Sequence, residues 1–112
     1  MLAKKYRLPI QSVLNKSGRT FKSRSFLIKI FAGQEKFNRF GVVISKKVDK
    51  RAVGRNKIKR IVLDLSKKFI SQSEDSKNIN KFDVLIIISP VMIKMEKADI
   101  IKELEDAFQK IL

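Results

Sequence analysis

The 112-residue chain contains no cysteine and no histidine. Without cysteine there is neither a disulfide framework nor a thiolate metal site. Without histidine the commonest general base and the commonest zinc ligand are missing together. Acid is scarce as well: 11 Asp and Glu stand against 26 Lys and Arg, a formal net charge of +15. No apolar run approaches the roughly 18 residues a membrane span requires. Met1 to Arg7 lack the apolar middle of a signal peptide, so no membrane partner and a cytoplasmic location are expected. No glycine-rich loop is present to cradle phosphate, since Gly54 stands alone and Gly41 lies in a strand-like run. With few acids near its basic stretches, the chain shows no catalytic constellation. These absences leave a binding protein.

What is present is enough for one domain over residues 1–112, with 44% hydrophobic residues to fill a modest core. The charge is segregated. Residues 1–31 hold 8 basic and 0 acidic groups, residues 41–70 hold 10 and 2, and residues 71–112 hold 6 and 8. A protein with a single nucleic-acid face needs that arrangement, whereas solubility alone does not.

The densest stretch is Gly41 to Arg60, GVVISKKVDKRAVGRNKIKR. Val42, Val43 and Ile44 suit a buried strand, Ser45, Lys46 and Lys47 a charged loop, and a helix starts near Ala52. At about 100° per residue, Ile58, Ile61, Val62, Leu65 and Phe69 share one core-facing arc. Asn56 and Arg60 lie opposite that arc, Arg55 and Lys59 project beside it, and Lys57 sits on the other flank. Nothing acidic falls between Arg51 and Lys59. An ordinary solvated helix mixes signs, because opposite charges four apart stabilise it and like charges cost a few tenths of a kcal/mol. A polyanionic partner would offset that cost.

Along the chain, residues 1–8 read as a basic arm carrying Lys4, Lys5 and Arg7, mobile until bound. Pro9 to Lys16 reads as a short helix with Ile10, Val13 and Leu14 on one stripe, stopped by Gly18. Arg19 to Arg24 is extended, with Thr20, Lys22 and Arg24 on one side and Arg19, Phe21 and Ser23 on the other. Phe26 to Phe31 follows as a strand with Phe26, Ile28 and Ile30 inward. A turn over residues 32–36 leads to a returning strand, Phe37 to Ser45, and together these predict an antiparallel meander. Phe21, interleaved with Arg19, Lys22 and Arg24, is the aromatic best placed to meet RNA; the alternative is a core Phe in the sheet. The basic helix is expected to run to about Ser71, where the polar residues 71–78 break it. Phe82 to Ser89 is apolar at both parities, a central strand covered on both faces and ended by Pro90. Ala98, Ile101, Leu104, Phe108 and Ile111 mark an amphipathic closing helix. Its Glu103, Glu105 and Asp106 are explained by a solvated face rather than a catalytic carboxylate pair.

Val43-Ile44-Ser45-Lys46-Lys47-Val48, then Ala52-Val53, then Arg55-Asn56-Lys57-Ile58-Lys59-Arg60 resemble the signature of the protein subunit of bacterial ribonuclease P. The match is specific over Phe40 to Phe69, with Lys57 standing where Arg is usual. The resemblance implies an α+β fold, a single α-β-β-β-α-β-α sandwich with a mixed sheet and a left-handed βαβ crossover, against the usual right-handed rule. It implies an RNA-binding cofactor of an RNA enzyme that removes the 5′ leader from precursor tRNA. The RNA would supply the active site and require Mg2+, and the protein would hold no metal and no catalytic residue. The partners would be ribonuclease P RNA, in a 1:1 complex, and the precursor tRNA. The RNA contacts would be Lys46, Lys47, Arg51, Arg55, Asn56, Lys57, Lys59 and Arg60. The leader would lie in a cleft between sheet and first helix, near Arg19, Phe21, Lys22, Arg24 and Leu14. Family members carry Phe residues on that helix where Gln11 and Asn15 stand here.

Two other classes share the charge and size. A structural RNA-binding protein of the ribosomal type would lack a reason for the Ser-Lys-Lys and Arg-Asn-Lys-Ile-Lys-Arg spacing. A DNA-binding regulator would present a helix-turn-helix or a dimer interface, and neither pattern is found.

Overall fold

The computed structural model of the protein describes residues 6–13, 17–33, 38–44, 47, 50–74 and 82–111. Six regular elements are assigned: β1 (Arg19–Lys22), β2 (Phe26–Ala32), β3 (Arg39–Val43), α1 (Ala52–Glu74), β4 (Phe82–Ile88) and α2 (Lys97–Ile111). Short 3-10 turns occupy Ile10–Ser12 and Pro90–Lys94. The strands form one mixed sheet in the order β1-β2-β4-β3. β1 and β2 form an antiparallel pair, β2 runs antiparallel to β4, and β3 runs parallel to β4.

β4 holds the centre because it is apolar at both parities. Val84, Ile86 and Ile88 pack with Phe26, Ile28, Ile30 and Phe40 beneath α1 and α2. Leu85 and Ile87 face the other way, against Leu8, Val13 and Phe31. This placement corrects the expected meander. β2 and β3 are not neighbours; β4 lies between them, and β3 pairs with β4 instead. Two strand spacings are only about 10 Å, which the connection across residues 33–38 spans easily. The connection from β3 to β4 is a crossover through α1, as adjacent parallel strands require.

α1 buries Ile58, Ile61, Val62 and Leu65, with Phe69 half-buried, the arc expected from the sequence. Phe69 meets Phe40 and Phe108 with ring centroids 6.0 and 5.6 Å apart, which ties α1 to β3 and α2. The helix extends to Glu74, past the expected stop at Ser71; residues 75–78 of the expected break lie outside the described residues. Ser66 Oγ donates to Val62 O at 2.9 Å, which satisfies a hydroxyl buried in the helix face.

α2 is rotated from its expected stripe. Ala98 is exposed and Ile101 half-buried, while Ile100, Leu104, Ala107 and Phe108 are buried. Turning the helix this way hides the bulky Ile100 in place of the small Ala98, a larger apolar gain. Ser25, buried at the start of β2, donates to Glu103 Oε2 at 3.1 Å, so one of the acids expected to be solvated serves the core.

The first helix expected over Pro9–Lys16 is a single 3-10 turn among the described residues, with Leu14 to Lys16 outside them. Leu8 keeps the chain extended here: its N–H donates to Phe40 O at 3.0 Å, and Arg7 forms a bridge with Phe40. Of the arm expected to be mobile over 1–8, Tyr6 to Leu8 are therefore docked on β3, with Leu8 buried; residues 1–5 lie outside the described residues. Gly18 does more than stop a helix. A Cβ there would run into Ile30 O and come within 2.8 Å of Phe31 Cδ1, so only glycine lets the chain enter β1 at this distance from β2.

Candidate nucleic-acid interface

The basic side chains of α1 follow from its buried arc. With Ile58, Ile61, Val62 and Leu65 fixed inward, helix geometry leaves Asn56, Lys57, Lys59 and Arg60 exposed. Among the described residues, the ion pairs are Arg39–Asp83 and Lys68–Glu105. Neither touches Lys57, Lys59 or Arg60, so their charge is available to a partner. The first turn of α1 contains no acid, which leaves the positive end of the helix dipole uncompensated within that turn.

Not every predicted RNA contact joins this face. Arg55 is half-buried, and its Nη1 donates to Lys50 O at 3.1 Å, which ties the preceding loop to the helix start. Arg51 and Lys47 are exposed in that loop, and Lys46 lies outside the described residues. A groove of about 520 Å3 runs along α1 beside Asn56, Lys57 and Arg60 and is closed by Lys97 from the start of α2. Lys97 carries no signal of this role in the sequence; only the packing of α2 on α1 brings it there.

The predicted leader residues separate. Arg19 and Phe21 pair with Ile30 and Ile28 and so share the face that carries the helices. Arg19 lies over the Phe82 ring, 5.7 Å from its centroid, a cation–π arrangement. Phe21 stacks on Phe26 at 6.4 Å and is half-buried against the core. Lys22 pairs with Leu27 on the opposite face, where Thr20 pairs with Lys29. Arg24 is exposed in the β1–β2 turn, and Leu14 is outside the described residues. Gln11 is exposed. Asn15 lies outside the described residues.

That opposite face is half covered. Leu8, Ile10 and Val13 pack over Phe31, Leu85 and Val43, and Gly41 gives them room, with Leu8 Cβ and Ile10 Cγ1 each 3.4 Å from where its own Cβ would be. Beside them lies a strip of Lys22, Lys29 and Thr20 over half-buried Leu27 and Ile87. Lys29 was missed in the sequence, although the alternation that turns Phe26, Ile28 and Ile30 inward also turns it outward.

Among the described residues, no group of three acids converges to hold a metal ion. No helix among them is long and apolar enough to cross a membrane. The geometry thus offers two cationic surfaces, one on α1 and one on the open half of the sheet.

A family model described as Ribonuclease P matches residues 4–112. The chain belongs to the ribonuclease P protein family. It is 31% identical over 101 residues to the Ribonuclease P protein component of Marinomonas sp. (strain MWYL1), covering 90% of this chain and 72% of that one. A Staphylococcus aureus RNase P protein mutant superposes with a TM-score of 0.78 at 27% identity, covering 95% of this chain and 87% of that chain. The RNase P protein from Thermotoga maritima gives a TM-score of 0.73 at 18% identity over 95% of this chain and 97% of that one, a likeness of fold. The mixed four-stranded sheet with two helices is thus the ribonuclease P protein fold, and the outward cations of α1 sit on the segment whose sequence carries the family resemblance.

Proposed function

We propose that the protein binds ribonuclease P RNA through the exposed face of α1 and assists that RNA in removing the 5′ leader from precursor tRNA. The observation that carries this reading is the division of α1: its apolar arc is spent on the core while Asn56, Lys57, Lys59 and Arg60 point outward, with no acid among the described residues paired to them. Neutralising phosphates there releases counterions, and arginine adds bidentate geometry to the contact. The open half of the sheet, with Thr20, Lys22 and Lys29 above Leu27 and Ile87, is the surface for the leader, extended by Arg24 at the turn. Positive charge over an apolar floor suits a single strand, whose backbone needs cations and whose bases need apolar surface.

In this reading the polypeptide contributes position and charge, and bond cleavage belongs to the RNA. Mg2+ held by the RNA would supply charge stabilisation at the scissile phosphodiester. The side chains of this chain hold the leader and the RNA in register and reduce repulsion between two polyanions. One protein would join one RNA, in the cytoplasm. The experiment is direct: combine the protein with a bacterial ribonuclease P RNA at low magnesium and follow precursor tRNA. Cleavage at the mature 5′ end should require the RNA and be stimulated by the protein. Cleavage by protein freed of RNA would refute the division of labour. Binding without stimulation would favour a structural RNA-binding role of the ribosomal type.

A further inference from the structure

Val53 is at odds with its surroundings. It stands in the first turn of α1 with 80% of its surface exposed, in the midst of the basic face. Positions 53, 56, 57, 60, 61 and 64 recur at helical spacing and line the same groove. Its apolar surface comes from Ile61, buried at the floor, and from the exposed Val53 beside it. Its rim is cationic, from Lys57 and Arg60 on α1 and Lys97 on α2. One carboxylate, Asp64, stands at the far end, and no ion pair among the described residues engages it.

A duplex backbone would use only the cations. It would leave the apolar floor idle and be repelled by Asp64. An unpaired nucleotide uses all three features: its base lies on the apolar floor, its phosphate meets the rim and the helix start, and its edge donates to the carboxylate. Guanine fits best, because N1–H and the N2 amino group are adjacent donors that one carboxylate accepts together. Adenine and cytosine offer a single amino group on that edge, and uracil a single imino N–H. We propose that the α1–α2 groove captures one unpaired guanine nucleotide of the RNA partner. The proposal rests on the RNA-binding reading above and adds a base-specific contact to it.

The test uses the full chain with labelled methyl groups, titrated with 5′-GMP and 5′-AMP at low salt. GMP should move the Val53 and Ile61 methyl signals with an apparent Kd about fivefold or more below that of AMP, the lower end for a bidentate contact. Asp64→Asn should abolish that difference and Asp64→Glu should retain it, whereas Lys97→Gln should weaken both nucleotides alike. Both positions are exposed, and melting curves of the three variants check that the fold is intact. Equal affinity for GMP and AMP, or Val53 methyls that do not respond, would overturn the proposal. The cleavage assay on the same preparation separates the two readings. Stimulated cleavage with no guanine preference would sink the groove proposal alone. A guanine preference without stimulation would support the groove and sink the tRNA-processing role.

Discussion

Asp83 interrupts the most apolar run in the chain, and its side chain is fully buried. It is held by Arg39, its register partner on β3, through two hydrogen bonds of 2.9 Å, Nε to Oδ1 and Nη2 to Oδ2. Arg39 itself is only 14% exposed. Substituting Asp83→Ala would take the paired carboxylate away from a largely buried guanidinium. Breaking a buried pair from one side costs about 3–5 kcal/mol, out of a total stability of about 5–15 kcal/mol for a domain. At about 4 °C per kcal/mol for a domain near this size, the melting temperature should fall by about 12–20 °C. Removing both charges at once should behave differently. Arg39→Met with Asp83→Val stays near the volume of the pair and drops both desolvation penalties, so the double variant should melt close to the parent or above it. Urea unfolding of the parent, Arg39→Met, Asp83→Val and the double variant closes the cycle. A single-variant loss below about 1 kcal/mol would show that water reaches the pair. A double variant as unstable as the singles would show that the pair contributes net stability, contrary to the reasoning.

Binding to ribonuclease P RNA should weaken steeply with salt; with about five phosphates neutralised, the log–log slope should be near −3.5 or steeper, and a slope near zero would remove the electrostatic interface. Lys59→Ala and Arg60→Ala should melt within about 0.5 kcal/mol of the parent, yet lose about 1.5–3 kcal/mol of RNA affinity each. Ile61→Ala and Leu65→Ala should show the converse, losing about 2–5 kcal/mol of stability through a core cavity; equal melting losses in the two sets would mean the faces of α1 are misassigned. Gly18→Ala should destabilise the fold by more than about 1 kcal/mol, since its Cβ would meet the backbone of Ile30 and cannot be relieved by a rotamer change; a melting temperature equal to the parent's would show that β1 shifts freely on β2.

The sequence carried α1 and β4 well because each is decided by its own periodicity. Ile58 to Phe69 repeat as a helical stripe, and Phe82 to Ile88 are apolar at both parities, so burial follows without knowledge of partners. Strand order was not legible in this way. Nothing local in Phe26–Phe31 or Phe37–Ser45 says whether they touch; that depends on a strand some forty residues later inserting between them. The rotation of α2 was lost for a similar reason, because Ala98, Ile100 and Ile101 satisfy two neighbouring stripes and the choice is made by the surface they meet. Much of the candidate interface was legible as charge on α1. The hydrogen bond from Arg55 to Lys50 O was not legible, because a side chain bound to its own preceding loop looks identical in sequence to one that reaches outward. Lys97 and Asp64 acquire meaning only when two helices are laid side by side.

The central position of β4 has a consequence for synthesis on the ribosome. When residues 19–43 have emerged, β2 and β3 each wait with an edge that only β4 can satisfy, and β4 ends at Ile88. At about 5–20 residues per second, translation takes several seconds to supply it. Throughout that interval the nascent chain carries two unpaired, apolar strand edges, the feature that draws chains into aggregates. A chain released before Phe82 could keep the β1–β2 hairpin, but it could never close the sheet.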